Sequence, residues 1–252
     1  MVTIKEIYDF IDGFAPFKTA LSFDNCGLLI GNMNKSVEKI MLALDASSAV
    51  LSEAYDKNCT LIITHHPIIF HPLKQIRSFS PVQSAIKKDI AVLSAHTNLD
   101  VASCGVNDVL AKKLELGEVK DLVNEDGIGK IGTLSSNMSD TQFAKYAKEK
   151  LNLRMIKFTP TIRTIRSVAV IGGSGGDFLQ DCEAMGADAV ITGEGKHNNY
   201  LEAVEKDIFF GECGHFETEV LVLDLLKSLL EKRFSDLQFI ISQKEKSPIC
   251  IL

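Results

Sequence analysis

The residues of this 252-residue chain best suited to chemistry are histidines and acids that follow short apolar runs. Thr64-His65-His66-Pro67 comes directly after Leu61–Ile63. Within a strand, neighbouring side chains point to opposite faces, but just past its end the chain can turn so that both imidazoles converge. Pro67 biases His66 toward extended backbone. Ala95-His96-Thr97-Asn98-Leu99-Asp100 follows the run Ala91–Leu93, although Thr, Asn and Asp are also ordinary turn and cap material. Gly214-His215-Phe216-Glu217-Thr218-Glu219 opens an expected helix over Phe216–Lys232. His215 and Glu219 are four apart and share a face. Glu219 falls on the stripe of Val222/Leu223, Leu226 and Leu230, the side expected to pack inward. A buried carboxylate calls for a cation, either an ion-pair partner or a metal.

His65, His66, Asp100, His215 and Glu219 form a candidate metal-ligand set. Five ligands exceed the three protein groups of a catalytic zinc site and suit two divalent ions. Two such ions, held by two carboxylates and a hydroxide, keep a net positive charge that favours a small anionic substrate, a phosphate or nucleotide. Imidazole with carboxylate suits zinc, iron, manganese or nickel. The expected activity is metal-dependent hydrolysis, with His96 either supporting a ligand or moving a proton. Thr192-Gly193-Glu194-Gly195-Lys196-His197 follows another apolar run; Glu194 and His197 are candidates for proton transfer or substrate contact, or members of a solvated loop. Gly172-Gly173-Ser174-Gly175-Gly176-Asp177 satisfies neither the dinucleotide fingerprint nor the Walker pattern and reads as a tight turn. Asp24-Asn25 is a turn or a support for ligand residues. The rival reading is a non-enzymatic protein that handles metal or binds a partner.

The elements that must position these groups are α/β. Apolar runs at Ile40–Leu44, Leu61–Ile63, Ala91–Leu93, Met155–Phe158, Val168–Ile171, Ala189–Ile191, Ile208–Phe210 and Phe239–Ile241 alternate with helix-like stretches such as Ser47–Lys57 and Phe178–Met185. That alternation indicates largely parallel sheets. Ile40–Thr64 and Val168–Thr192 read alike, and each is followed by Asp-Ile and then by a histidine with an acid four residues on (His96/Asp100, His215/Glu219). An internal duplication follows: two similar α/β lobes, 1–126 and 127–252, with the metal site expected in the inter-lobe cleft. The boundary is placed at Gly127–Gly132, where three glycines in six residues break regular structure. The C-terminal strand could return to the first lobe.

Composition narrows the class. With 46% hydrophobic and 24% charged residues and a net charge of −6, the chain reads as globular, with no basic face for nucleic acid or anionic membrane. No run approaches a membrane span. Lys5, Glu6 and Asp9 in the first ten residues argue against a signal peptide. Six cysteines without a C-x-x-C pair read as reduced thiols of a cytoplasmic protein.

Phe23-Asp24-Asn25-Cys26-Gly27-Leu28, Thr64-His65-His66-Pro67, His96-Thr97-Asn98-Leu99-Asp100, Gly127-Ile128-Gly129-Lys130-Ile131-Gly132, Gly172–Gly176, Thr192-Gly193-Glu194 and Gly214–Glu219 occur in this order over nearly the whole chain. In this the sequence resembles the Nif-three-like dinuclear metal-centre family, often labelled GTP cyclohydrolase I type 2 homologues. The resemblance implies two duplicated α/β lobes with exchanged C-terminal strands, a ring-shaped homohexamer and two metals. By position its ligands fall on His65, His66, Asp100, His215 and Glu219. The label implies opening of the GTP imidazole ring with loss of formate. Phe23 stands where members often have Trp, and the chain lacks the large mid-chain insertion of longer members.

Overall fold

The computed structural model describes all residues, Met1–Leu252. The chain opens with α1 (Ile4–Phe14), then β1 (Gly27–Ile30), β2 (Lys39–Ala43), α2 (Ser48–Asp56), β3 (Leu61–Thr64), α3 (Pro81–Lys87), β4 (Ala91–Ser94) and α4 (Thr97–Val101). It continues through α5 (Val106–Lys113), β5 (Gly117–Asp121), β6 (Lys130–Met138), α6 (Asp140–Lys150), β7 (Lys157–Phe158), β8 (Ile165–Ile171), α7 (Leu179–Ala184), β9 (Ala189–Thr192), α8 (His197–Glu205), β10 (Phe209–Glu212) and α9 (His215–Glu219), and ends on α10 (Val222–Arg233) and β11 (Gln238–Ile241). No helix is long and apolar enough to cross a membrane.

Two compact units result: Met1–Ser103 with Val222–Lys246, and Cys104–Leu221 with Ser247–Leu252. The first holds a sheet in the order β1-β4-β3-β2-β11, the second a sheet in the order β5-β6-β8-β9-β10-β7. The topologies repeat. In the first, β2, β3 and β4 are parallel neighbours and β1 pairs antiparallel to β4; in the second, β8, β9 and β10 are parallel and β7 pairs antiparallel to β10. Registers correspond too, with Ala43 opposite Thr64 and Ile171 opposite Thr192.

The inner strands are buried on both faces, which is why they read as unbroken apolar runs. In the first unit Met41, Ile62 and Val92 pack with Val50, Leu51 and Ala85; in the second, Val168, Val170, Ile191 and Phe209 pack with Leu110 and Phe143. Helix starts are set by caps. Ser47 accepts from the Val50 N–H, and Thr3–Glu6 and Ser139–Gln142 are reciprocal capping boxes.

Three expectations are corrected. The division at 126/127 differs from the observed units: β5 hydrogen-bonds to β6, which carries residues 104–126 into the second unit, while β11 lies parallel to β2 and returns to the first. The glycines at 127–132 do not break regular structure throughout. Gly127 and Gly129 have positive φ and turn the chain from β5 into β6, closed by Leu122 N–H on Gly129 O (3.0 Å), but Gly132 lies inside β6, where an added Cβ would press on Gly117 and Leu116. The helix expected over Phe216–Lys232 is two helices, interrupted at Val220 and Leu221, where the chain passes from one unit to the other.

Candidate metal centre

In the first unit the polar side chains gather at the carboxyl ends of the parallel strands, where α/β proteins build their sites. Thr64 and Ser94 close β3 and β4 with a hydroxyl–hydroxyl contact of 2.7 Å. The chain then turns, and the backbone N–H groups of His65 and His66 donate to Ala43 O (3.2 Å) at the end of β2 and to Leu44 O (2.8 Å) just past it. His65 is fully buried, and its Nδ1 lies 2.9 Å from Ala95 O. A carbonyl only accepts, so Nδ1 carries the proton and Nε2 presents its lone pair. That Nε2 is 3.6 Å from Oδ1 of Asp100, which α4 supplies. His66 Nδ1 faces Asp45 Oδ1 at 3.0 Å, and His96 Nδ1 faces Asp24 Oδ1 at 2.9 Å. Three imidazoles thus have Nδ1 engaged by an oxygen. Ring centroids are 5.0 to 5.5 Å apart, and one ligand nitrogen from each of His65, His66 and His96 lies within 4.8 Å of the other two.

Asp24 anchors this arrangement. Its side chain is fully buried and accepts from His96 Nδ1, the Thr97 N–H (3.0 Å), the Thr97 hydroxyl, and the Cys26 thiol (3.0 Å). Burial works against its charge, yet the hydrogen bonds from His96, Thr97 and Cys26 hold its carboxyl well below the usual carboxylate range. Burial, and then the neighbouring Asp24 carboxylate, push the Cys26 thiol up to about 12, so it donates to Asp24 as a neutral thiol.

In the second unit the corresponding strand ends carry His215, Glu219 and Glu194. Gly214, with φ +94°, turns the chain out of β10 into α9. His215 Nε2 is 3.1 Å from Glu219 Oε2, and Glu219 is buried as expected. The inward stripe that motivated this does not run through one helix, since α9 stops at Glu219. Glu194 Oε1 lies 3.3 Å from His215 Nδ1, and its other oxygen accepts from Ser174 Oγ (2.9 Å). Glu194 therefore stands behind His215 as an acceptor that orients the ring, and it also borders a cavity of about 200 Å³ lined by Ser174, Asp177, Lys196 and Asn199. His197 is exposed on the first turn of α8. The loop Gly172–Gly176 is a tight turn. Gly173 has φ +64°, and an added Cβ would collide with Glu219.

Each unit by itself thus joins the site residues expected of it: His65, His66, His96 and Asp100 in the first, His215, Glu219 and Glu194 in the second. Asp45 was missed. It follows β2 as one acid in a short polar turn, and only the pairing of β2 with β3 brings it to His66.

A family model described as Duf34/NIF3 (NGG1p interacting factor 3) matches residues 2–248. A Clostridium acetobutylicum protein named "GTP cyclohydrolase 1 type 2 homolog" is 34% identical, with 97% of each chain covered. A Methanocaldococcus jannaschii protein of the same name is 30% identical, covering 94% of this chain and 97% of its own. Among solved structures, a Bacillus cereus protein related to NIF3 superposes with a TM-score of 0.94 at 23% identity, over 100% of this chain and 99% of that one. A Staphylococcus aureus hypothetical protein superposes with a TM-score of 0.92 at 27% identity, over 99% of each.

Proposed function

Since the chain belongs to the Duf34/NIF3 family, we propose that it is a metal-dependent hydrolase in which His65, His66, Asp100, His215 and Glu219 bind two divalent ions. Its substrate is a small anion, a nucleotide or another phosphate ester. The observation that carries this reading is the imidazole group of the first unit. His65 and His66 converge with Nδ1 engaged by Ala95 O and Asp45, the arrangement that turns Nε2 toward a metal, and His96, held at Nδ1 by Asp24, stands beside them. The donor set fits zinc, iron, manganese or nickel. When bound, such ions supply Lewis acidity and a nucleophile drawn from water near neutral pH.

The chain's own residues do the rest. Asp24 holds the His96 ring, which gives or takes the proton that hydrolysis moves. Asp45 fixes the tautomer of His66, and Glu194 that of His215. The relatives' name adds GTP to the candidate substrates, with hydrolytic opening of its imidazole ring standing beside phosphoester hydrolysis as the reaction.

Elemental analysis of protein purified without chelators or added metal should find two divalent ions per chain. A nucleotide and phosphoester screen should then find turnover that His65→Ala and Glu219→Ala abolish together with metal content. Tight metal binding with every substrate at background would reject the enzyme and leave a metal-handling protein.

A further inference from the structure

The segment after β11 reaches back to the end of β2. Ser242 Oγ donates to Glu53 Oε2 (2.6 Å), and the N–H groups of Gln243 and Lys244 donate to the same buried carboxylate at 3.0 and 3.1 Å. This winding aims Glu245 at Leu44 and Asp45. Its Oε2 accepts from Leu44 N–H at 2.8 Å and its Oε1 from Asp45 N–H at 2.7 Å. Those two residues in turn hold His66 at two points, Leu44 O taking its backbone N–H and Asp45 Oδ1 taking ring Nδ1. The second unit pins the matching strand end as well: Gly172, which occupies the place of Leu44 in the repeat, donates its N–H to Asn107 Oδ1 at 2.9 Å.

We propose that Glu245 is a positioning residue for metal binding, acting through Leu44 and Asp45 to set the position and tautomer of His66. The proposal rests on reading His66 as a metal ligand. A carboxylate spanning two consecutive N–H groups holds the Ala43–Leu44 and Leu44–Asp45 peptides in a fixed relation to each other, and the Asp45 side chain has a stable origin only if both are held. Glutamine at 245 keeps the shape but turns an amide NH₂ toward one of the two N–H donors, so one of the two bonds is lost.

The test uses the full chain. Imidazole ¹⁵N shifts of the metal-free protein should show His66 protonated at Nδ1 in the wild type and mixed between tautomers in Glu245→Gln. Zinc affinity, measured by competition with a chromophoric chelator, should fall about 10-fold in Glu245→Gln, at the low end for an outer partner of a ligand. Asp45→Asn should change both readouts in the same direction, and the double variant should be no weaker than Asp45→Asn alone. Glu53→Gln, which loosens the same segment at its anchor and leaves every bond to Glu245 in place, should leave both unchanged.

An unaltered His66 tautomer and zinc affinity in Glu245→Gln would overturn the proposal. An equal effect from Glu53→Gln would also overturn it, by assigning the change to general loosening. If the wild type failed to bind zinc, the metal reading would fall, and the tautomer comparison would still decide the role of Glu245.

Discussion

A buried carboxylate such as Asp24 is tolerated because donors surround it on every side. Removing its charge leaves those donors facing an amide that accepts through one oxygen alone. Asp24→Asn should therefore cost about 1–3 kcal/mol in urea unfolding, and should free the His96 ring, seen as line broadening of its ¹H–¹⁵N signals. His65, His66 and His96 were legible from sequence because each follows an apolar run that ends at a polar residue. Glu219 was legible from the i, i+4 spacing to His215. Asp45 and Glu245 were not. A lone acid after a strand and another in the segment beyond β11 carry no local signal; their roles arise when β2 is set between β3 and β11.

Elements, in turn, are held apart by the smallest side chains. Gly173 sits in the left-handed region at the end of β8, and its N–H donates to Thr218 Oγ1 at 3.1 Å, tying this turn to α9. Gly173→Ala combines backbone strain with a collision against Glu219. We expect metal content to drop in this variant, while Gly186→Ala, another positive-φ glycine but with open space around it, should keep its metal and lose only stability. Equal metal loss in both would remove the link between the turn and Glu219. All eight apolar runs overlap a strand, and the six that mark β2, β3, β4, β8, β9 and β10 stand out because strands buried on both faces advertise themselves. β1, β5 and β6 escaped notice: β5 is exposed along its whole length and the end of β6 is largely exposed, so neither shows an apolar run. The break at Val220–Leu221 was hidden for the opposite reason, since the apolar pattern continues unbroken across it.

For the molecule as a whole, an acid-rich chain with a net charge of −6 depends on a few carboxylates that folding keeps ionised. Burial disfavours charge on Glu53, but Lys57, Ser242 and the Gln243 and Lys244 N–H groups outweigh it and bring its pKa down to about 2. Because the folded value lies below the unfolded one, the stabilisation is present above about pH 4.5 and fades as pH falls toward 2. This one group should account for roughly 3 kcal/mol of acid-induced loss across that window. Urea unfolding of Glu53→Gln should show a correspondingly shallower pH dependence, and a slope matching the wild type would refute the assignment. The two-unit plan was readable in the repeated strand–turn–helix–strand pattern. Its borders were not, because they follow from which strands pair over long sequence separations.

That the first unit is sewn from two distant stretches of chain sets an order of events on the ribosome. The stretch 104–221, which holds every strand of the second sheet, emerges in one piece, whereas the sheet begun by the opening hundred residues waits with the open edge of β2 until β11 emerges. A nascent chain stalled before residue 238 would expose that hydrogen-bonding edge to any passing strand, the template for mispairing that an uncovered sheet edge presents.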